Sequence, residues 1–483
     1  MIPIIGFAPD SDPVTPGVLT DCSNVVPFDA GMMGAPVAAD LGLTALAAEC
    51  RGAALLTDLA GTRKLWAGTS AAAASPALYQ QSGSGWTDRS RGAGYTLGAD
   101  DRWSFAQFGN DALAASPSCK VQRSTGAAFA DVASAPQAKI IVVAKDFAVA
   151  LNTSVTTDTW YCSAYLDASD WTLSVSNQCV TGRLVSTPGA LTAGLRFGDD
   201  VIAYKERSVY VGRYVGAPDV WRWDVVSNDV GCVGQEAVAD TSYGHIFVGI
   251  DGVYLYNGTA TIQPLSNGVL ARWMRTDMSA TYRYRTKVLW DKTNGLVWIY
   301  YPSAASSGAC DRCVVYHPLT KRWGVAHATV EAVANYASAA ITFDGGSTFL
   351  GTYDGGPTIP YDSPIWFGGE VGAAVFNTSH KVCTLSGGSV SSYFVTGDLG
   401  EDRGDTHCDM LAMRYSQLPT TSSATGYTRD EGGGSLVTQE TSTQADGKHD
   451  MRQTARWHRF RVDQTGPWKA IGYQPRFRSA GNR

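Results

Sequence analysis

HIFVGIDGVYLYNG, residues 245–258, is the stretch whose reading decides the fold. An apolar run from His245 to Val248 stops at Gly249. Asp251-Gly252 then reverses the chain, Val253 to Tyr256 returns, and Asn257-Gly258 reverses it again. Both runs are filled by β-branched and aromatic residues, which suit a pleated, half-buried surface. Asp-Gly and Asn-Gly suit tight hairpins because the central positions need positive φ. The stretch reads as strand, turn, strand, turn.

The same grammar recurs on both sides. Upstream it runs Val201 to Tyr204, then Ser208 to Gly212, then Trp221-Arg-Trp223. Downstream come Lys287 to Trp290, Asn294-Gly295, Leu296 to Tyr301, Arg312 to Tyr316 and Arg322-Trp323. A further unit is read at Ala340 to Phe343, Asp344-Gly345-Gly346 and Thr348 to Gly351. Two more precede them: Lys64 to Gly68 with Leu78, Tyr79 and Trp86, and Ile140 to Val143 with Phe147 to Leu151, Trp160 and Trp171. Such units bury their faces only against neighbours, and a closed ring protects all but short edges. The expectation is a mainly β chain built on a β-propeller of about six blades. An array of two-sheet sandwiches is the alternative.

Helical periodicity is scarce. The main helix-like run is Ala45 to Leu59, which also reads as two strands around Arg51-Gly52. Three regions are expected: an extended N-terminal segment and clasp at 1–50, the propeller at 51–365, and a C-terminal β-platform with exposed loops and a basic tail at 366–483. Gly397 to Asp405 is acidic and Gly-rich, the tract from Pro419 to Asp450 is polar, and the end is basic and aromatic.

The composition narrows the function classes. Only 17% of the 483 residues are charged and 52 are glycine, with 14 Trp and 22 Tyr, which disfavours disorder. The net charge of −6 lacks the basic surplus usual for a protein that grips nucleic acid. No leader is read in the opening residues, and no apolar run reaches membrane-spanning length. The expectation is a soluble chain whose ten cysteines are mostly reduced and buried.

Three stretches carry a resemblance. The opening is Pro16 to Thr20, Asp21-Cys-Ser-Asn24 and Val25 to Pro27, followed by Gly31 and Gly34. The core is Trp221 to Val226, Gly231 to Gly234, Phe247 to Gly249 and Asp251 to Gly258. The ending is Trp457-His-Arg-Phe-Arg461 with Trp468. In this order they resemble the tail nozzle proteins of short-tailed bacteriophages, also called tail tubular protein B-like or packaged-DNA stabilisation proteins. The resemblance implies a structural virion protein in the tail, assembled in the bacterial host cytoplasm. It implies a self-assembled ring, typically a hexamer, below the portal and adaptor ring and near tail fibres or spikes. Packaged double-stranded DNA would be retained and later pass through without specific binding, and this chain would not insert into a membrane. The family brings no catalytic residues. The competing class is a carbohydrate-binding or glycosidase β-propeller.

The chemistry-bearing residues fit no complete constellation. Cys310-x-x-Cys313 is half a zinc spacing, with His317 and His327 nearest, and His407-Cys408 between Asp405 and Asp409 is weaker. Asp167, Asp170 and Asp251 sit near turns and would have to pair to cleave a glycoside. Arg403-Gly404-Asp405 spells an adhesion tripeptide. No catalytic, cofactor-binding or metal-ligating residue is assigned, and no cofactor or enzymatic activity is expected. Arg452, Arg456, Arg459, Arg461, Lys469, Arg476, Arg478 and Arg483 outnumber Asp463 in the basic end. They read as a dock for an acidic neighbouring ring rather than a DNA grip. The acidic residues from Asp398 to Asp409, and Asp199-Asp200, are candidates for a channel wall that repels phosphates.

Overall fold

The computed structural model describes residues 1–70, 76–337, 371–401 and 404–481. The regular secondary structure of its described residues is almost entirely β-strand, with one short helix at Ala271–Asp277 and one 3-10 turn at Arg283–Arg285.

The decisive stretch forms two strands, Gly244–Val248 and Val253–Tyr256, paired antiparallel with Phe247 opposite Tyr254. With Val238–Thr241 and Gln263–Pro264 they make a four-stranded blade. Six such sheets stand alone. A seventh four-stranded meander, between residues 287 and 326, is the first part of a ten-stranded sheet. In chain order the innermost strands are Cys50–Thr57, Ser104–Phe108, Ala138–Ala144, Leu191–Phe197, Val238–Thr241, Lys287–Asp291 and Ala332–Ala337. Each packs against the next, and the last returns to the first, so the ring closes. The expected β-propeller of about six blades is present, with six separate sheets and, as blade 6, the meander that is fused to the rest of the chain, which together close a ring of seven. Closure excludes the alternative of a sandwich array.

The hairpins explain why these residues fold this way. Lys145 and Asp146 both lie in the left-handed region, at φ 49° and 63°, between paired Ala144 and Phe147. This is the twist a two-residue hairpin demands. Hydrophobic clusters then fill the spaces between neighbouring blades. Ile140, Val149 and Leu151 of blade 3 meet Val201, Tyr210 and Trp221 of blade 4. Leu65 and Ala67 of blade 1 meet Ala334, Ala374 and Phe376 of blade 7.

The helix-like run at Ala45 to Leu59 is corrected: Cys50–Thr57 is the inner strand of blade 1. Gly52 has φ 143°, and a Cβ there would stand 2.4 Å from the Trp103 carbonyl oxygen. The strand is set by that approach to blade 2, which local periodicity cannot register. The unit read at Ala340 to Gly351 lies outside the described residues. The blade it belonged to in the sequence reading is built from Ala332–Ala337, Val371–Phe376, Val382–Thr384 and Ala39–Asp40. Its outer strand thus comes from the N-terminal region, with Cys383 opposite Asp40, and the ring crosses the boundaries drawn at 50 and 365.

The two ends of the chain build the platform. In the ten-stranded sheet, blade 6 continues through Val25–Phe28 and Gly31–Gly34 into Lys469–Gly481, Asp405–Gln417 and Lys448–Ala455. A seven-stranded sheet joins Gly6–Phe7 and Val18–Ser23 to Ser392–Thr396, Trp457–Thr465, Thr421–Arg429 and Val437–Thr443. Leu19, Met32, Phe394, Phe460 and Trp468 share one core with Ile246, Val253 and Val325 of the propeller. The polar tract from Pro419 to Asp450, expected as exposed loops, is mostly strand. Thr421–Arg429 alternates buried residues with half-buried ones after an exposed Thr421, so Ser, Ala, Gly and Thr occupy the inward positions where larger apolar residues would have marked a strand.

Candidate functional site

The starts of the inner strands converge on one mouth of the ring, where a cavity of about 340 Å³ opens. Blade 1 contributes Glu49 and Arg51, blade 2 Asp100 and Arg102, and blade 3 Lys139. Blade 5 contributes Gln235, blade 6 Arg285 and Lys287, and blade 7 Glu331. Most of these charges are paired. Arg51 meets Glu49 at 2.8 Å and Arg102 meets Glu236 at 3.2 Å. Arg285 Nε donates to Asp100 at 3.1 Å. Glu331 accepts from the Cys50 backbone N–H at 3.1 Å and lies 2.8 Å from His380 Nδ1. Lys287, 2% exposed, donates to the Arg285 carbonyl at 3.0 Å and contacts Cys310 Sγ at 3.2 Å, with Glu236 at 4.0 Å. Burial in the rim lowers the pKa of Lys139 from its ordinary value, because the ammonium loses water.

No sequence motif marked this site. Its members lie just before or at the start of strands whose signal was apolar, and the ring brings them together. The one legible hint was a charged residue at the threshold of successive strands: Arg51, Arg102, Lys139 and Lys287.

The residues weighed in the sequence are held elsewhere. Cys310 packs against Lys287, while Cys313 Sγ points to the Val314 carbonyl at 3.6 Å. His317 lies 2.9 Å from Asp29, and His327 accepts from Arg312 at 2.6 Å. Among the described residues no three His, Cys, Asp or Glu side chains converge as metal ligands. All ten cysteines are buried and unbridged. Burial pushes the Cys162 thiol up to about 11 and the Cys119 thiol up to about 12. Asp167 and Asp170 cap turns, accepting from the Ser169 and Thr172 backbone N–H groups at 2.8 and 2.9 Å. Asp251 pairs with Arg275 at 3.5 Å. Arg403 of the adhesion tripeptide lies outside the described residues, as does Arg483.

The acidic run and the basic end meet each other. Asp398 binds Arg429 and Arg459, the latter at 2.9 Å. Asp405 meets Arg456 at 3.8 Å, and Asp409 meets Arg476 and Arg478 at 2.6 and 2.8 Å. The hydrogen bond from Arg476 holds the Asp409 carboxyl below the usual carboxylate range. Arg461 pairs with Asp463 at 2.8 Å and lies over the Tyr393 ring at 3.7 Å. Lys469 lies over Phe28. Asp199 and Asp200 pair with Lys145 and Arg213.

No family model matches the chain, and no curated relative matches it. Solved structures similar to it include a mitotic checkpoint complex chain, 9% identical with a TM-score of 0.40 over 74% of this chain and 93% of that one. The WD40 domain of Neurospora crassa Pan2 is 9% identical with a TM-score of 0.37, covering 70% and 88%. An exo-beta-1,3-galactanase from Phanerochaete chrysosporium is 9% identical with a TM-score of 0.28, covering 91% and 100%. Likenesses this distant say nothing about function.

Proposed function

We propose that the chain is a structural subunit of a short-tailed phage tail, the nozzle ring that retains packaged DNA and conducts it on ejection. One observation supports this reading most. The opening and ending that carry the resemblance meet at their edges: the Gly34 N–H donates to the Trp468 carbonyl at 3.3 Å, and the residues beside them pair, Met33 opposite Lys469 and Met32 opposite Ala470. The opening also pairs with blade 6 through Val25 and Val325. Both ends of the chain are therefore committed to one sheet that continues a propeller blade, an arrangement suited to passing mechanical force between a ring and its neighbours. The pairing of acidic and basic residues in the platform suits a conduit, since few free cations remain there to hold phosphates.

Negative-stain imaging and native mass measurement of the purified chain test the reading. A ring of about six copies, formed alone or on addition of portal and adaptor rings, is the expected result. A chain that stays monomeric under both conditions and hydrolyses a glycan would overturn it in favour of the glycosidase class.

A further inference from the structure

Two strand edges of the platform pair with no strand among the described residues. The first is Val437–Thr443, the last strand of the seven-stranded sheet, which has Thr421–Arg429 on one side and nothing on the other. The outward N–H and C=O groups of such an edge form a row open to another chain, and a Lys, a Pro or a covering element usually guards it. Val-Thr-Gln-Glu-Thr-Ser-Thr contains neither Lys nor Pro. Its β-branched residues favour an extended strand, and Leu436 and Val437 at its start are 38% and 58% exposed. The second edge is the far half of Lys469–Gly481. That strand pairs with Asp405–Gln417 along one side. Its other side meets Gly31–Gly34 at Lys469 and Ala470, and Ile2–Pro3 at Gly472 and Tyr473, but from Gln474 to Gly481 it meets no strand. The two edges carry opposite charge. Glu440 is exposed without an ion pair to a described residue, as are Asp430 and Glu431 in the turn before it, and no Lys or Arg lies between Asp430 and Gly447. On the other edge Arg476 and Arg478 share one carboxylate, Asp409. Arg414 and Arg452, on the same sheet face by register, are exposed and have no carboxylate among the described residues.

We propose that Val437–Thr443 of one copy of the chain adds as a strand to the Gln474–Gly481 edge of a second copy. Backbone hydrogen bonds supply the attraction in strand addition, and the acidic strand against the basic edge selects the partner. Pairing of Val437–Thr443 with its own counterpart would set Glu440 near Glu440, and like charges across a strand pair are unfavourable. Pro475 has no N–H to give, so the bonds fall on the residues that follow it. Two different surfaces meet in this contact, which is therefore heterologous, and a heterologous contact repeated from copy to copy closes a ring when its rotation allows. Ring closure rests on the nozzle reading; the pairing of the two edges does not.

Engineered cysteines read the contact directly, because all ten native cysteines are buried while Thr441 and Ser479 are exposed. Full-length Thr441→Cys and Ser479→Cys proteins, mixed and treated with a short bifunctional maleimide, should give a product that joins one of each, and either protein alone should give little. Native mass measurement supplies the second arm. Glu440→Lys should weaken assembly about tenfold at low salt, the scale of an exposed ion pair turned into a repulsion, and the effect should shrink as salt rises. Glu440 has no partner within the chain to lose, so the urea midpoint of the variant should stay unchanged, and Glu440→Gln should give a smaller loss of assembly. A ring that forms alike in the unmodified protein and in Glu440→Lys, without the 441–479 product, overturns the strand addition and leaves the nozzle reading standing. The 441–479 product in chains that form only dimers or open fibres supports the strand addition and overturns ring closure. Thr441→Cys linking mainly to itself overturns the heterologous pairing, and chains that stay monomeric without any product overturn the proposal outright.

Discussion

Asp398→Ala should be the most damaging single change in the platform. The side chain is 1% exposed and holds two guanidinium groups, Arg429 and Arg459. The backbone pairing puts Arg429 opposite Trp457 and Tyr427 opposite Arg459, so the two arginines are diagonal neighbours on one sheet face. Without the carboxylate they repel. At a separation of roughly 7 Å and an effective dielectric of about 20, that repulsion alone is about 2 kcal/mol. Both guanidiniums also lose a charged acceptor while largely buried, and the usual cost of breaking a buried pair is about 3–5 kcal/mol. Urea unfolding followed by tryptophan fluorescence, with Trp457 and Trp468 in the platform, reads the loss. Asp398→Asn, which keeps one acceptor and removes the charge, should cost less. Adding Arg459→Met to Asp398→Ala should recover part of the loss, because it removes the repulsion. A stability change below about 1 kcal/mol for Asp398→Ala, or strict additivity in the double variant, would refute the reasoning.

Acidification should destabilise the protein beginning near pH 6.5. Burial depresses the pKa values of His245, His449 and His458 from that ordinary value. The unfolded chain then binds more protons, and stability falls until the folded pKa values are passed, by up to about 1.4 kcal/mol per pH unit for each histidine; urea midpoints equal at pH 7.5 and 5.5 would sink this. Gly52→Ala should cost about 2 kcal/mol or more through positive φ and the collision with the Trp103 carbonyl, seen as a lower unfolding midpoint, and an unchanged midpoint would contradict the close approach. Duplex DNA should bind only weakly at physiological salt, measured by fluorescence anisotropy. Tight, salt-steep binding abolished by neutralising the arginines between 452 and 478 would show a DNA grip instead.

The propeller was legible where turn chemistry and strand chemistry coincided. Blades 3 to 6 follow the units marked by Trp160, Trp221, Asp251-Gly252 and Asn294-Gly295, and blade 1 follows Lys64 to Gly68. Blade 2 went unread. Its hairpin turns on Gly109-Asn110, with Gly109 at φ 57° between paired Phe108 and Asp111. That turn has the reverse residue order, and its strand Asp111–Ser116 is mostly Ala and Ser. Small side chains weaken the apolar signal yet fit a crowded inter-blade space, where Leu113 and Ala115 are fully buried. The N-terminal strand that completes blade 7 was illegible for another reason. Ala39–Asp40 is two residues long, and its pairing with Cys383 and Thr384 is a long-range choice made by ring closure.

Charge was the hardest property to read, because its meaning depends on distance through space. In sequence the acidic residues of 398–409 and the basic residues of 456–478 are separate features of opposite sign, each inviting its own partner. In the platform, Asp405–Gln417 runs antiparallel against Lys469–Gly481, while Leu399–Gly400 pairs with Trp457–Thr465. Those registers bring Asp409 beside Arg476 and Arg478, and Asp398 beside Arg459. The same pairing constrains each electrostatic role considered for this region. A repelling wall needs exposed carboxylates, and Asp398 is not one. A DNA grip or an acidic-ring dock needs available cations, and among the basic residues from 452 to 478 only Arg452 is exposed with no ion pair or ring contact to a described residue. Each phosphate neutralised steepens the salt dependence of duplex binding by about 0.9 in log–log slope. One free arginine per chain therefore gives a slope near one per engaged chain, where seven free cations would give about six. Rupture of the pairs must precede any stronger grip, and the cost of that rupture is the quantity that Asp398→Ala measures.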